Sequence, residues 1–235
     1  MRSAGAAWRP YPRPVRRLSQ LYVGLVLYGF SDGLLVLAAL GLDPWDVFHQ
    51  GLARRTGIEI GTWSIIVGAA VLLLWIPLRQ WPGLGTASNV VVIGLVVNLT
   101  LAEVPVPHDL PMRVLLLVGG VVLNGMATGC YIGAGLGPGP RDGLMTGLVA
   151  RRGGSIRLIR TGIELTVLAI GWLLGGTVGI GTIVYAAGIG PLAHLFIPLF
   201  SRGLKRNAVG DTSHTNESHP DSSDTEMETV PCVDS

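Results

Sequence analysis

The sequence predicts an all-α, polytopic transmembrane helical bundle. Three observations lead there: a composition short of charge, a series of long apolar runs, and a second half that echoes the first. Apolar residues make up 49% of the 235 and charged residues only 14%, with a mean hydropathy of +0.52. Soluble domains carry about a quarter charged residues, so part of this exterior faces something other than water. The 34 glycines agree, because glycine lets membrane helices approach closely.

The formal net charge of +2 conceals an asymmetry. From Asn207 to Ser235 there is no Lys or Arg but there are seven acids, Asp211, Glu217, Asp221, Asp224, Glu226, Glu228 and Asp234. The rest of the chain sets all 17 bases against the remaining 8 acids. Those bases sit mostly at the ends of apolar runs, where they orient a membrane protein. No aromatic-interleaved basic stripe is present, so nucleic acid is not an expected partner. Cys130 and Cys232 form neither a disulfide framework nor a metal-ligand set.

In chain order, residues 1–17 are a Pro/Arg-rich basic arm, followed by an apolar run from Leu21 to Leu40 that Asp32 interrupts. Further runs cover Thr62–Leu78, Leu84–Ala102, Val114–Leu136, Leu158–Leu174 and Thr177–Phe200. A helix needs roughly 20 residues to cross about 30 Å of hydrocarbon, so six long helices are expected. The fifth is the most compromised, with Arg160 and Glu164 inside it. The first exceeds the usual signal-peptide core of about 7–15 residues and reads as a span. Residues 201–235 read as a cytoplasmic, disordered acidic tail.

A displacement of 96 links the halves. Gly24, Gly29 and Gly33 recur as Gly120, Gly125 and Gly129. Gly83-Leu84-Gly85-Thr86 recurs as Gly179-Ile180-Gly181-Thr182, and Ile93, Gly94 and Leu99 as Ile189, Gly190 and Leu195. With small gaps, Gly41-Leu42-Asp43-Pro44 also matches Gly135-Leu136-Gly137-Pro138, and the Arg54-Arg55 region matches Arg151-Arg152. Two copies of a three-helix unit are therefore expected, at 18–104 and 112–200.

Each copy holds one short, polar-tinged segment, about 44–53 and 138–150. If these segments are re-entrant or interfacial, each copy crosses three times and the two are inverted; if they cross, the copies are parallel. Asp43, Asp46, His49 and Gln50 make a poor lipid-facing span, which favours re-entry and inverted repeats. With the N-terminus inside, re-entry leaves Arg54, Arg55 and Arg113 outside and puts both termini on the cytoplasmic side.

The stretch from Gly41 to Gly57, GLDPWDVFHQGLARRTG, resembles the signature region of YczE-like integral membrane proteins, within the YczE/YyaS/YitT family of bacteria. The stretch from Gly133 to Gly147, GAGLGPGPRDGLMTG, is similar to that family's other glycine-rich motif, and the likeness extends over about 18–200. The resemblance implies an internally duplicated, multi-pass protein of the bacterial cytoplasmic membrane. It carries a loose link to transport or export of small molecules and brings no catalytic residues with it.

Candidate binding residues follow from the cost of ionisable groups at membrane depth, about 2.5–3.5 kcal/mol each on insertion scales. Asp32 in the first run either contacts an ion or substrate or pairs with another helix. Asp46 and Asp142 open the two short segments, where broken helices mark transporter sites and where an acid also simply caps a helix. Arg160 and Glu164, spaced i,i+4, pair either structurally or at a substrate site. His49 is a weaker candidate. No catalytic set, metal site or cofactor motif is evident, and no enzyme is expected. The expected activity is small-molecule transport, with a non-transporting membrane partner or scaffold as the alternative. The expected partners are the lipid bilayer, a small-molecule substrate and, as an open possibility, a homo-oligomer.

Overall fold

A computed structural model describes residues 14–210, with side chains from 15 to 201. Helices account for its regular structure: α1 (Pro14–Ala38), α2 (Pro44–Thr56), α3 (Ile60–Leu78), α4 (Leu84–Glu103), α5 (Leu110–Gly133), α6 (Pro140–Arg152), α7 (Ile156–Leu173) and α8 (Ile180–Gly210). Five of them (α1, α3, α4, α5 and α8) are long and apolar enough to cross a membrane. α7 has 18 residues but carries Arg157, Arg160 and Glu164. Leu73, Leu95, Ile183 and Leu195 are exposed on the outside, as lipid-facing residues are. The expected acidic tail from 211 onward and the arm up to residue 13 lie outside the described residues; α8 itself runs on to Gly210.

Close contacts fix the helix directions. Gly24 of α1 lies against Tyr131 of α5, and Leu35 lies against Gly120, so α1 and α5 are antiparallel. Gly29 meets Ile93 and Val96, and Gly33 meets Thr100, so α4 runs parallel to α1. Gly125 meets Leu192 and Gly129 meets Phe196, so α8 runs parallel to α5. Gly133 touches both Gln20 and Phe200, which puts the start of α1 and the late part of α8 at one end of the bundle.

α2 and α6 are half-length, 13 residues each, about 20 Å at 1.5 Å per residue. The chain leaves α1, folds back inward at Ala39–Leu42, and starts α2 beside Asp32, in the middle of α1. Asp32, Asp43 and Asp46 each bring a carboxylate oxygen within 4.8 Å of the others. α2 then runs outward again. At its end Arg54 donates to the Gly175 carbonyl and the Thr177 hydroxyl, and Arg55 to the Leu174 carbonyl at 3.2 Å. α6 leaves the interior toward the opposite end, where Arg151 donates to the Pro77 carbonyl. Each short helix thus runs from the centre of the bundle to one end, α2 and α6 to opposite ends. These arginines stitch each short helix to carbonyls at the C-terminal end of a long one.

Local chemistry explains the short helices. Asp43 caps α2 and Pro44 occupies its first turn, while Gly57 ends it in the left-handed region (φ 77°). The sequence suggested Asp46 as the capping acid. The cap is Asp43, because a side chain one residue ahead of the first helical residue reaches the free N–H groups. Asp46, at the third helical position, faces His49 instead.

Several contacts recur with a shift of 96 residues, those between the two halves with the partners exchanged. Gly29–Val96 corresponds to Gly125–Leu192, Gly33–Thr100 to Gly129–Phe196, and Gly24–Tyr131 to Gly120–Leu35. The Gly85 N–H donates to the Leu136 carbonyl at 2.9 Å, and the Gly181 N–H to the Leu40 carbonyl at 2.8 Å. Pro44 and Pro140 both stand at helix starts, so the gaps introduced between the two motifs in sequence are not needed there. The pairing fails at one place. α3 packs on α4, with the Gly61 N–H donating to Asn98 Oδ1 at 2.8 Å, whereas α7 and α8 make at most marginal contact.

The bond to Asn98 yields a modest prediction. Asn98 also donates to Glu59 and Thr62, so Asn98→Leu is expected to destabilise the protein by about 1–2 kcal/mol. Thermal unfolding in detergent reads this, and an unchanged midpoint would remove Asn98 from the account of α3–α4 packing.

Candidate functional site

The N-terminal ends of α2 and α6 meet at the centre. Asp43 Oδ1 accepts the N–H groups of Trp45 and Asp46 at 2.7 and 2.8 Å. Its other oxygen accepts from Arg141 Nη1 at 3.3 Å. Arg141, second in α6, also lies 5.2 Å above the Trp45 ring, a cation–π contact that favours its charge. The two tips are thus joined by one ion pair and one stacked contact.

Behind this junction is a buried polar layer. Asp32 Oδ1 accepts from Asn124 Nδ2 at 2.7 Å, and the same amide nitrogen reaches Ser31 Oγ at 2.9 Å. Asn124 Oδ1 accepts from the Tyr185 hydroxyl at 3.0 Å. Asp46 Oδ1 pairs with His49 Nδ1 at 3.2 Å. Ser31, Asp32, Asp43, Asp46, His49 and Asn124 are all buried. Side chains from α1, α2, α5 and α8 therefore converge here, and each alone would be costly in hydrocarbon.

In front of the junction lies a cavity of about 490 Å³. Asn89, Tyr131, Arg141, Asp142, Arg160 and Glu164 supply much of its polar wall, with Tyr28, Tyr185 and His194 around them. The Tyr131 hydroxyl points at Asp142 Oδ2 at 3.5 Å, and Arg160 Nε donates to Glu164 Oε1 at 2.9 Å. α6 begins at Gly139 without a side-chain cap, where α2 has the carboxylate of Asp43. The first-turn amides of α6 therefore lack the anionic partner that those of α2 have.

Of the six residues singled out from sequence, Asp142, Arg160, Glu164 and His49 line this cavity. Asp32 and Asp46 belong to the buried layer behind it, with Asp43 reaching both regions. The pairing of Arg160 with Glu164 is as expected, on the cavity wall. Sequence reasoning passed over Asp43, Arg141, Trp45 and the three tyrosines. Asp43 did carry a signal, since an Asp directly before a Pro is a cap followed by the residue favoured at a helix start. His194 and Asn89 also border the cavity.

Together these features define a polytopic α-helical membrane protein with a charged cavity at the meeting point of two half-length helices. The chain belongs to the family described as "Family of unknown function (DUF6198)", whose model matches residues 15–198. An uncharacterized protein of Haemophilus influenzae is 38% identical over 201 residues, covering 86% of this chain and 92% of that protein. The uncharacterized membrane protein YczE of Bacillus subtilis is 36% identical over 186 residues, 78% of this chain and 86% of YczE. YyaS, also of Bacillus subtilis, is 25% identical over 193 residues, 80% and 96% respectively. The resemblance to YczE-like proteins read from the two motifs thus holds across most of the chain. No solved structure matches it.

Proposed function

We propose that the protein is a small secondary transporter built from two inverted copies of one unit, carrying a polar small molecule through the central cavity. The carrying observation is the cavity itself. Arg141, Asp142, Arg160 and Glu164 bring charges of both signs to one water-sized-to-solute-sized space at membrane depth, and intramembrane charges grouped this way mark solute pathways. Half-helices whose N-termini meet at a repeat interface are the usual frame for such a site. A solute with both an anionic and a cationic group suits the wall.

The unequal packing of the halves supports a mechanism. Gly61 and Gly68 let α3 close on α4; the residues 96 positions on are Arg157 and Glu164, and α7 makes at most marginal contact with α8. On this reading the cavity is reached between α7 and α8 while α3 and α4 are shut. In the opposite state α7 closes and α3 parts from α4, and the same site then faces the other side.

Flux in proteoliposomes tests the proposal, using a panel of small zwitterions, amines and carboxylates under sodium or proton gradients. At least one compound is expected to move, with Asp142→Asn reducing its rate by about tenfold or more, as loss of one buried charged contact does. Undiminished flux in the variant would place the solute elsewhere, and a silent panel would favour the non-transporting partner role. Orientation has its own test. A single cysteine at position 54 is expected to react with an impermeant reagent on intact cells, and one at 151 only after permeabilisation. The reverse pattern would invert the protein, and protection of both would refute the re-entrant course of α2.

A further inference from the structure

We propose that Asp32, Asp43 and Asp46 hold one monovalent metal cation, with sodium the ion of matching chemistry. Three carboxylate oxygens lie within 4.8 Å of one another. Oxygens that share one hard cation at about 2.3–2.6 Å can be no further apart than about twice that distance. The three residues are 1%, 1% and 5% exposed, so bulk water does not dissipate their charge. Asp46 Oδ2 is buried and has no hydrogen-bond partner, although its sister oxygen is held by His49. A buried carboxylate oxygen left open beside two other carboxylates points to a missing positive ligand.

Charge selects the class of ion. The three carboxylates face Arg141 and the starts of α2 and α6, each worth about half a positive charge. What remains is on the order of one negative charge, which a singly charged ion cancels and a divalent ion overshoots. A lone proton bridges two oxygens at most and leaves the third carboxylate as it was. The other titratable groups nearby are His49 on α2, Tyr28 on α1 and Tyr185 on α8. The inference deepens the transport reading, which gives the ion its use as a coupling ion, but its occupancy stands on geometry and charge alone.

Trp45 lies within the capped turn and Asp43 touches the cavity, so the full-length protein in detergent carries its own reporter. Tryptophan fluorescence and thermal midpoint are followed while NaCl replaces choline chloride at constant ionic strength, and radioactive sodium binding is counted in parallel. A saturable sodium response at about one ion per chain is expected, absent with choline and weakened as pH falls because protons compete for the same oxygens. Asp46→Asn should weaken sodium binding by about tenfold or more, with Asp32→Asn as the second variant if the first does not fold. Equal responses to sodium and choline, a response to pH alone, a preference for calcium, or full sodium affinity in either folded variant would each overturn the proposal. Sodium binding without flux of any solute would retain the ion site and remove the transport reading, while sodium-independent flux without sodium binding would do the converse.

Discussion

Replacing Arg141 by methionine is expected to destabilise the protein by about 3 kcal/mol, the low end of what loss of one partner of a buried ion pair costs. The low end applies because the Arg141 side chain is 27% exposed while that of Asp43 is 1% exposed. The variant leaves the Asp43 carboxylate with two backbone N–H groups but no cation from α6, and also removes the contact with the Trp45 ring. Asp43→Asn in the same chain should recover part of the loss, because a neutral amide needs no counter-charge. Thermal or denaturant unfolding in one fixed detergent reads both. Equal stability of Arg141→Met and wild type would show that the two tips do not depend on this pair.

The second large effect is steric. Trp75 of α3 is fully buried, and its indole N–H donates to the Pro140 carbonyl at 3.1 Å. Its ring lies against α6 at Gly143, where an added Cβ would fall inside the ring's van der Waals envelope. Gly143→Leu is therefore expected to cost about 3 kcal/mol or more, at or beyond the top of the usual overpacking range. Trp75→Ala alone should cost about 3–5 kcal/mol through the cavity it opens. The double variant should be more stable than the sum of its parts implies, since the new leucine fills space the indole leaves. Simple additivity would mean that α6 does not pack on Trp75 at all.

The long helices were legible because length and apolarity in a run of about 20 residues leave few alternatives. α7 was the weakest of the predicted spans for the reason the structure makes visible: Arg160 and Glu164 line a cavity. The displacement of 96 was also readable, from Gly24, Gly29 and Gly33 in particular, because close helix contacts tolerate little besides glycine. What the displacement did not reveal was direction, since a repeated string has the same letters whichever way its helix runs. In the structure α1 and α5, which carry Gly24 and Gly120, run antiparallel.

The candidate site was half legible. An acid or base within an apolar run is conspicuous, so Asp32, Arg160 and Glu164 stood out. Asp43 and Arg141 lie in polar turns, where charge is ordinary, and only folding those turns inward makes them central. The convergence of Asp32 with Asp43 and Asp46 depends on α2 starting beside the middle of α1, which no local spacing encodes. Tyr28, Tyr131 and Tyr185 come from three different helices and share no motif, so their common cavity is a product of packing alone.

The claim beneath all of this is that water, and with it a polar solute, reaches a charged cavity inside a lipid-facing bundle. In a chain whose Cys130 and Cys232 are replaced by alanine, single cysteines at Asn89 and Leu95 of α4 put the two sides of one helix to the test. Asn89 borders the cavity and Leu95 faces outward. In membranes, a charged thiosulfonate reagent is expected to modify the cysteine at 89 and to leave the one at 95 unmodified; modification at 95 with protection at 89 would contradict the arrangement.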